Sequence, residues 1–258
     1  QAEDGIRDRS PSRGLGDVYK RQVLPKATGS ATAYWVSEGD SLTESNTTYS
    51  SIKLEPKTVG ALTAFSRQLA LQANPSIEQL LRDDIAAVVG AAVDKALLHG
   101  TAAAKQPVGI LNVSGIQTAS LATLSWAAIV GMLEKLGLEN ITPNAVLTHA
   151  KAATKLQTTL KDATAGSEYL MAGGRVAGLN AYVTNQLDAK TGTPDKGRVL
   201  VGDFSQLVIG EFGITEVLAN PYAAGYYEKG DVQLRIMHSM DAVVRHPKAF
   251  VLCEDLGL

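Results

Sequence analysis

The sequence predicts an α+β protein, in which one long helix and several short strands share the same structure. Two observations support this class. Apolar residues between Ile77 and Leu97 recur at the three- and four-residue spacing of one helix face. Short apolar runs bounded by polar turns recur before and after this helix, as is typical of strands. The 258 residues are enough for one large domain or for two smaller ones with a shared core.

Composition excludes several classes of protein. The single cysteine, Cys253, rules out an internal disulfide framework and a cysteine-rich zinc cluster, and we expect it to be a small buried apolar residue. The formal net charge of −2 gives no electrostatic reason to predict a surface that wraps nucleic acid. No apolar run reaches the roughly 18 residues of a membrane span and no signal peptide is visible, so we expect assembly in the cytoplasm.

Residues 1–22 differ in composition from the rest of the chain. They are rich in Arg, Asp, Gly and Ser and lack apolar periodicity, so we interpret them as a disordered or non-native leader. The alternative is a basic arm that binds nucleic acid, although acidic residues nearly balance the basic ones. Residues 23–32 are predicted to form an extended N-terminal arm.

Residues 33–57 are predicted to form a β-hairpin with a polar tip. Segments 33–36 and 49–55 have strand character and flank a stretch rich in Ser, Thr, Gly, Asp and Asn. A tip this polar is poorly suited to burial against its own domain. One interpretation is a mobile surface hairpin, and the other is an extension that lies across a neighbouring subunit.

The longest predicted helix spans residues 76–99. Ser76 followed by Gln79 fits a capping box, and Gly100 is predicted to end the helix in the left-handed conformation. About 22 residues at roughly 1.5 Å each would give a rod of about 33 Å. Gly90 lies in the middle of this helix, where another group could pack very close.

Two shorter helices and further strands are predicted in the second half of the chain. Ser125 should begin the first helix and Gly137 should end it, with Ile129, Met132, Leu133 and Leu136 on its inward face. A strand at residues 145–148 precedes the second helix, which Thr148 should cap and whose Leu156 and Leu160 should face inward. The remaining predicted strands are residues 178–184, 198–204, 214–218, 232–238 and 242–245.

These motifs resemble the tailed-phage major capsid proteins, which have the Hong Kong 97-like fold. The resemblance covers about residues 33–253 and is carried by QPVGIL after the long helix, LKDATAGSEYLMAGG, GDFSQLVIGEFG and the closing VVRHPKAF. It implies a long spine helix at residues 76–99 and an extended β-hairpin loop at residues 33–57. It also implies a peripheral domain of residues 58–113 and 231–258, and an axial domain of residues 114–230.

The resemblance implies a structural function. Many copies would assemble as hexamers and pentamers into an icosahedral shell around packaged double-stranded DNA, without sequence-specific contacts to that DNA. Portal, scaffold or protease proteins are possible partners, and we expect the protein in the virion. An encapsulin-like compartment, which encloses protein cargo, has the same fold and is the alternative. A soluble α/β enzyme is the third interpretation, but it would need a concave site with converging titratable groups.

The predicted subunit interface involves the hairpin and the start of the long helix. Glu38, Asp40 and Glu44 of the hairpin tip should meet a basic patch on the adjoining subunit. Some capsid proteins join subunits by an isopeptide bond from a loop lysine, but residues 37–51 contain none, so we predict no covalent cross-link. The residues assigned to the interface are Trp35, Glu38, Asp40, Glu44, Asn46, Tyr49, Lys53, Glu78 and Arg82.

No catalytic, cofactor-binding or metal-binding residue is predicted. The histidines, His99, His149, His238 and His246, lack the spacing of a metal site. No G-x-S-x-G elbow is present, and GTAAAKQPVG lacks the ending of a phosphate loop. The sequence therefore predicts a protein that is not an enzyme.

Overall fold

The computed structural model describes residues 22–27, 49–72, 77–162, 166–188 and 196–257. The chain divides into two units, Gln1–Pro56 and Lys57–Leu258. The first unit contains an antiparallel ribbon of strands β1 (Gln22–Ala27) and β2 (Tyr49–Leu54). The predicted strand at residues 49–55 is thus confirmed, and its partner is the segment predicted as an extended arm. The predicted hairpin strand at residues 33–36 and nearly all of the predicted leader lie outside the described residues.

The second unit contains the helices and the remaining strands. Its helices are α1 (Arg67–Gln72), α2 (Ile77–His99), α3 (Trp126–Leu138) and α4 (Ala150–Thr158). Its strands are β3 (Lys57–Phe65), β4 (Gln117–Ala119), β5 (Ala145–Thr148), β6 (Met171–Ala172), β7 (Arg175–Val176), β8 (Leu179–Val183), β9 (Lys196–Gly202), β10 (Leu207–Glu211), β11 (Glu216–Asn220), β12 (Val232–Val244) and β13 (Phe250–Gly257).

Strand β12 is the centre of a four-stranded antiparallel sheet. β3 pairs along one of its edges, and β11 and β10 pair in succession along the other. The sequence predicted two strands here, at residues 232–238 and 242–245, whereas β12 runs through Asp241 without a break. The structure buries Asp241 and pairs its carboxylate with the ammonium group of Lys57 on β3 at 2.8 Å. This ion pair allows β12 to continue without interruption.

Helix α2 covers one face of the four-stranded sheet. The predicted helix at residues 76–99 is confirmed, with Ile85 and Val89 packed against Leu234 and Ile236 of β12. Two predicted apolar positions of this helix, Leu80 and Val88, are instead more than half exposed. They lie one position before Leu81 and Val89, so the helical rotation of about 100° per residue turns them away from the sheet.

Gly100, which follows the last residue of α2, does not adopt the predicted left-handed conformation. Close packing explains why a glycine occupies this position. A Cβ atom at Gly100 would overlap the carbonyl oxygens of Ala96 and Pro107. The side-chain amide of Asn112 donates to the carbonyl oxygen of His99 at 2.8 Å, which satisfies one of the free carbonyl groups at the helix end. The glycine is therefore required because a neighbouring chain segment approaches its backbone.

The second sheet has seven strands in the order β4-β13-β9-β5-β8-β7-β6. The pairs β13–β4 and β5–β8 are parallel, and the other pairs are antiparallel. Helices α3 and α4 contribute to one apolar cluster with this sheet, and the end of α2 contributes to another. The first includes Ile129, Met132, Leu136, Leu156, Val146, Val199 and Val201; the second includes Leu98, Ile110, Leu187, Leu200 and Phe250.

The caps of the shorter helices agree only in part with prediction. Ser125 begins α3 as predicted, since its hydroxyl accepts from the N–H of Ala128 at 3.2 Å. Asn140, rather than Gly137, adopts the left-handed conformation after this helix. His149, rather than Thr148, caps α4, because Thr148 is a buried strand residue. Leu160 follows α4 and is exposed, contrary to prediction.

Strand pairing crosses the predicted division into peripheral and axial domains. β10 and β11, which lie in the predicted axial range, pair with β12 of the predicted peripheral range. β13, predicted as peripheral, lies between β4 and β9 in the seven-stranded sheet. A strand joins the sheet in which its apolar face is buried, and that sheet can be formed by distant segments. A boundary drawn along the sequence can therefore cut across a sheet. The domain boundaries stay a prediction.

Candidate assembly surface

An open apolar surface lies on the face of the four-stranded sheet that α2 does not cover. Leu62 of β3 and Leu218 of β11 both pair with Arg235 of β12, so these three side chains form a row across the sheet. Leu62 is 62% exposed and Leu218 is 50% exposed. Together with Tyr222, the three residues line a groove of about 540 Å³. We refer to Leu62, Leu218, Tyr222 and Arg235 as the sheet-face groove.

The charged group of the groove is available to a partner. The guanidinium of Arg235 lies 4.0 Å from the carboxylate of Glu216, and both side chains are at least half exposed. An exposed pair at this distance contributes little to stability, typically about 0–1 kcal/mol. Leucine, tyrosine and arginine side chains around one concave surface can provide both apolar contact and directed hydrogen bonds to a partner.

In the loop after β11, Tyr222 lines the groove and Tyr227 lies beside Tyr222. The rings of Tyr222 and Tyr227 are 5.9 Å apart, and the side-chain oxygen of Asn220 accepts from the N–H of Tyr222 at 2.9 Å. Gly225 and Gly230 have positive φ angles, which side-chain-bearing residues rarely adopt. Local contacts thus order this loop, although both tyrosine side chains remain mostly exposed.

The predicted interface residues fall in different parts of the chain. Tyr49 and Lys53 lie in β2, opposite Ala27 and Val23 of β1, and the side chain of Lys53 is exposed. Glu78 lies in the first turn of α2, and Arg82 lies one turn later and is half-buried. Trp35, Glu38, Asp40, Glu44 and Asn46 lie outside the described residues. The assignment of this set to one interface stays a prediction.

A network of charged groups connects the end of α2 to the seven-stranded sheet. Lys95 pairs with the carboxylate of Asp188 at 3.0 Å, and Arg198 of β9 pairs with Glu254 of β13 at 3.0 Å. Burial lowers the pKa of His99 in this network, and the positive charge of Arg198 lowers it further. The sequence identified His99 only as a helix-end residue, because its partners lie far away along the chain.

Two residues of β13, Cys253 and Asp255, have shifted pKa values that their surroundings explain. Burial raises the pKa of the Cys253 thiol to about 12, which agrees with its predicted role as a small buried residue. Burial also acts to raise the pKa of Asp255, but hydrogen bonds from the Ser120 hydroxyl and the Leu121 N–H outweigh it and lower that pKa. Asp255 thus fastens β13 to the segment before α3.

The described parts of the chain contain neither a metal-binding cluster nor a membrane-spanning helix. No group of three or more His, Cys, Asp or Glu side chains in these parts is arranged to hold a metal ion. None of the helices in these parts is long and apolar enough to span a membrane.

Comparison with known sequences identifies relatives among phage proteins. The model of the Phage capsid family matches residues 1–255. The chain is 28% identical over 230 residues to the major capsid protein of Halomonas phage phiHAP-1, covering 88% of this chain and 36% of that protein. It is 25% identical over 276 residues to the major capsid protein of Klebsiella oxytoca phage phiKO2, covering 96% of this chain and 64% of that protein. The chain thus spans less than two thirds of the length of these relatives.

Solved structures of phage and GTA particles have the same fold. The capsid of an empty GTA particle matches with a TM-score of 0.73 and 19% identity, covering 92% of this chain and 85% of that chain. A structure from Mycobacterium phage Ogopogo matches with a TM-score of 0.68 and 18% identity, covering 91% and 87%. These similarities confirm the predicted α+β, Hong Kong 97-like fold. Together with the match over residues 1–255, they establish that the chain belongs to the Phage capsid family.

Proposed function

We propose that this chain is a major capsid protein subunit of a tailed phage. Copies of it would assemble as hexamers and pentamers into an icosahedral shell that encloses double-stranded DNA. The observation that carries the proposal is the match of the Phage capsid family to residues 1–255. The work of such a subunit is mechanical, so the proposal assigns no catalytic residue and no cofactor.

Two features of the described residues support assembly. The sheet-face groove offers an open apolar surface with a tyrosine and an arginine, and subunits that close into a shell need such surfaces to receive complementary ones. The ribbon of β1 and β2 has two strands, and a two-stranded ribbon is only marginally stable in isolation. Contacts with a neighbouring copy would add to the stability of such a ribbon.

The proposed content of the shell is DNA held by confinement. A formal net charge of −2 does not favour a surface that binds nucleic acid tightly, and confinement does not require one. The encapsulin-like alternative would enclose protein instead, and the names of the two phage relatives favour the phage interpretation. Portal, scaffold and protease proteins are the further partners that we propose for the complete virion.

Electron microscopy of the purified protein tests the function. We expect rings, hexamers, pentamers or closed shells after size-exclusion chromatography, and nuclease-protected DNA in particles isolated from infected cells. Closed shells that contain protein cargo and no DNA would favour the compartment. A compact monomer at high concentration, both for this chain and for a chain extended to the length of its relatives, would contradict shell formation.

Substitution in the sheet-face groove should block assembly without unfolding the subunit. In the double variant Leu62→Asp/Leu218→Asp we expect soluble monomer in place of shells, because two carboxylates would have to be buried in an apolar contact. The thermal midpoint should change little, since both side chains are exposed in the subunit. Tyr182→Asp, at an exposed position of the other sheet, is the control. Normal shells from the double variant would show that the groove is not an assembly contact.

Charge reversal at the hairpin tip should also impair assembly. In the triple variant Glu38→Lys/Asp40→Lys/Glu44→Lys, we expect slower assembly and fewer closed shells, because the tip would repel the basic patch that we predict on the adjoining subunit. Light scattering during assembly measures this effect, which should weaken as salt is added. The triple glutamine/asparagine variant separates loss of attraction from repulsion. Unchanged assembly of the reversed variant would remove these three residues from the interface.

A further inference from the structure

The imidazole of His99 joins the end of α2 to a turn that follows β8. The backbone N–H of Asp188 donates to Nε2 of His99 at 3.0 Å, across 89 positions of sequence. The neighbouring Leu187 is fully buried in the apolar cluster that also contains Leu98 of α2. Residues 185–188 are therefore held to the helix end both by apolar packing and by this hydrogen bond.

The hydrogen bond is compatible with only one protonation state of the ring. Because Nε2 accepts from Asp188, it must carry a lone pair, so the neutral ring has its proton on Nδ1. A second proton would bind to Nε2 and would place two N–H donors opposite each other at the same short distance. Protonation of His99 must therefore break this contact.

The charged groups around the ring come from each element packed against it. Nη1 of Arg198, on β9, lies 3.5 Å from Nδ1 of His99 and donates to the carbonyl oxygen of Asp188 at 3.2 Å. Lys95 of α2 pairs with the Asp188 carboxylate, and Glu254 of β13 pairs with Arg198, each at 3.0 Å. Two cations and two anions balance while the ring is neutral. A protonated ring would add a positive charge beside the guanidinium. Burial and Arg198 oppose that charge more strongly than the Asp188 carboxylate and a hydrogen bond with the Gln186 backbone favour it.

We propose that His99 is a pH-sensitive latch that fastens the end of α2 to the 185–188 turn while the ring is neutral and releases it on protonation. This latch belongs to the folded subunit and does not depend on the proposed function. The release leaves the apolar cluster in place but removes the main-chain anchor of Asp188. The end of α2 and the turn could then move relative to each other.

The direction of the pH dependence follows from the folded environment. Burial, and then Arg198, hold the pKa of His99 below its unfolded value of about 6.5. The stabilisation by the latch is therefore complete above the unfolded pKa and is lost as the pH falls through the folded pKa. Acidification should open the latch, whereas alkaline conditions should leave it closed.

Hydrogen–deuterium exchange of the full chain at pH 7.5 and pH 5.5 tests the latch. After correction for intrinsic exchange rates, the Asp188 amide should lose protection at the lower pH, whereas amides in the middle of α3 should not. In His99→Gln, the side-chain oxygen can still accept a hydrogen bond but does not titrate, so this loss should disappear. His246→Gln, at an exposed histidine, is the matched control and should respond to pH as the wild type does.

The contact lies within one chain, so the test can be made on the monomer and does not depend on whether the chain assembles. If the wild-type Asp188 amide is equally protected at both pH values, the proposal is wrong. It is also wrong if His99→Gln loses protection at pH 5.5 to the same extent as the wild type. If His99→Gln has low protection at both pH values, the pH response still resides in His99, and the proposal stands.

Discussion

Replacement of Lys57 by methionine is expected to lower the free energy of unfolding by about 3 kcal/mol, the lower end of the range for breaking a buried ion pair. The Asp241 carboxylate would lose the ammonium group that lies 2.8 Å away, while only 6% of its side chain is exposed. The Lys57 side chain is 26% exposed, so water can enter and moderate the loss. Urea unfolding followed by circular dichroism measures the difference.

Two further variants show whether loss of the Lys57–Asp241 ion pair is responsible. The double variant Lys57→Met/Asp241→Asn should recover much of the lost stability, because no buried charge remains. Lys248→Met removes one partner of an ion pair of similar length, between Lys248 and Glu139. Both of these side chains are about a third or more exposed, so we expect a loss below about 1 kcal/mol. Equal losses for Lys57→Met and Lys248→Met would contradict the argument.

Truncation of Phe250 to alanine is expected to cost about 3–5 kcal/mol of unfolding free energy. This side chain is fully buried in the cluster with Leu98, Ile110 and Leu200, where the end of α2 meets the seven-stranded sheet. Its ring also packs edge-on against Phe204, with centroids 5.4 Å apart and planes at 80°. Alanine would leave a cavity that a sheet paired on both sides cannot easily close.

The size of the cavity can be varied to test this explanation. Phe250→Leu keeps most of the apolar volume and should cost clearly less than the alanine variant. Tyr182→Ala removes an exposed aromatic side chain from the same sheet and should change stability by less than about 0.5 kcal/mol. A loss below about 1 kcal/mol for Phe250→Ala would show that the core relaxes around the missing ring.

Local features of the fold could be predicted from the sequence, because neighbouring residues determine them. The helix predicted at residues 76–99 ends at His99, as α2 does, and the hydroxyl of Ser125 begins α3 as the capping rule requires. Gly100 shows the limit of such rules. It was assigned to the commonest role of a glycine at a helix end, but the actual reason is the approach of Pro107.

Features that depend on distant partners could not be predicted in the same way. Asp241 has the sequence character of a break in a strand, but it pairs with Gly210 in the sheet, and its carboxylate pairs with Lys57, 184 positions earlier. The pairing of β1 with β2 likewise joins segments that are not neighbours in the sequence, so local sequence patterns do not predict it.

The candidate site was predicted only in outline. The sequence directed attention to the acidic hairpin tip, which lies outside the described residues, and overlooked the sheet-face groove. Alternation along β3 indicates that Leu62 can face away from a core. It does not indicate that Arg235 and Leu218 will align with it, because that requires the register of three strands from distant parts of the chain.

The position of β13 has a consequence for biosynthesis. This strand, residues Phe250–Gly257, enters the seven-stranded sheet between β4 and β9, which precede it by many residues. Until the ribosome has released residue 257, β4 and β9 lack the neighbour that joins them, and their edges are open. A nascent chain therefore cannot present the finished seven-stranded sheet before β13 has been translated.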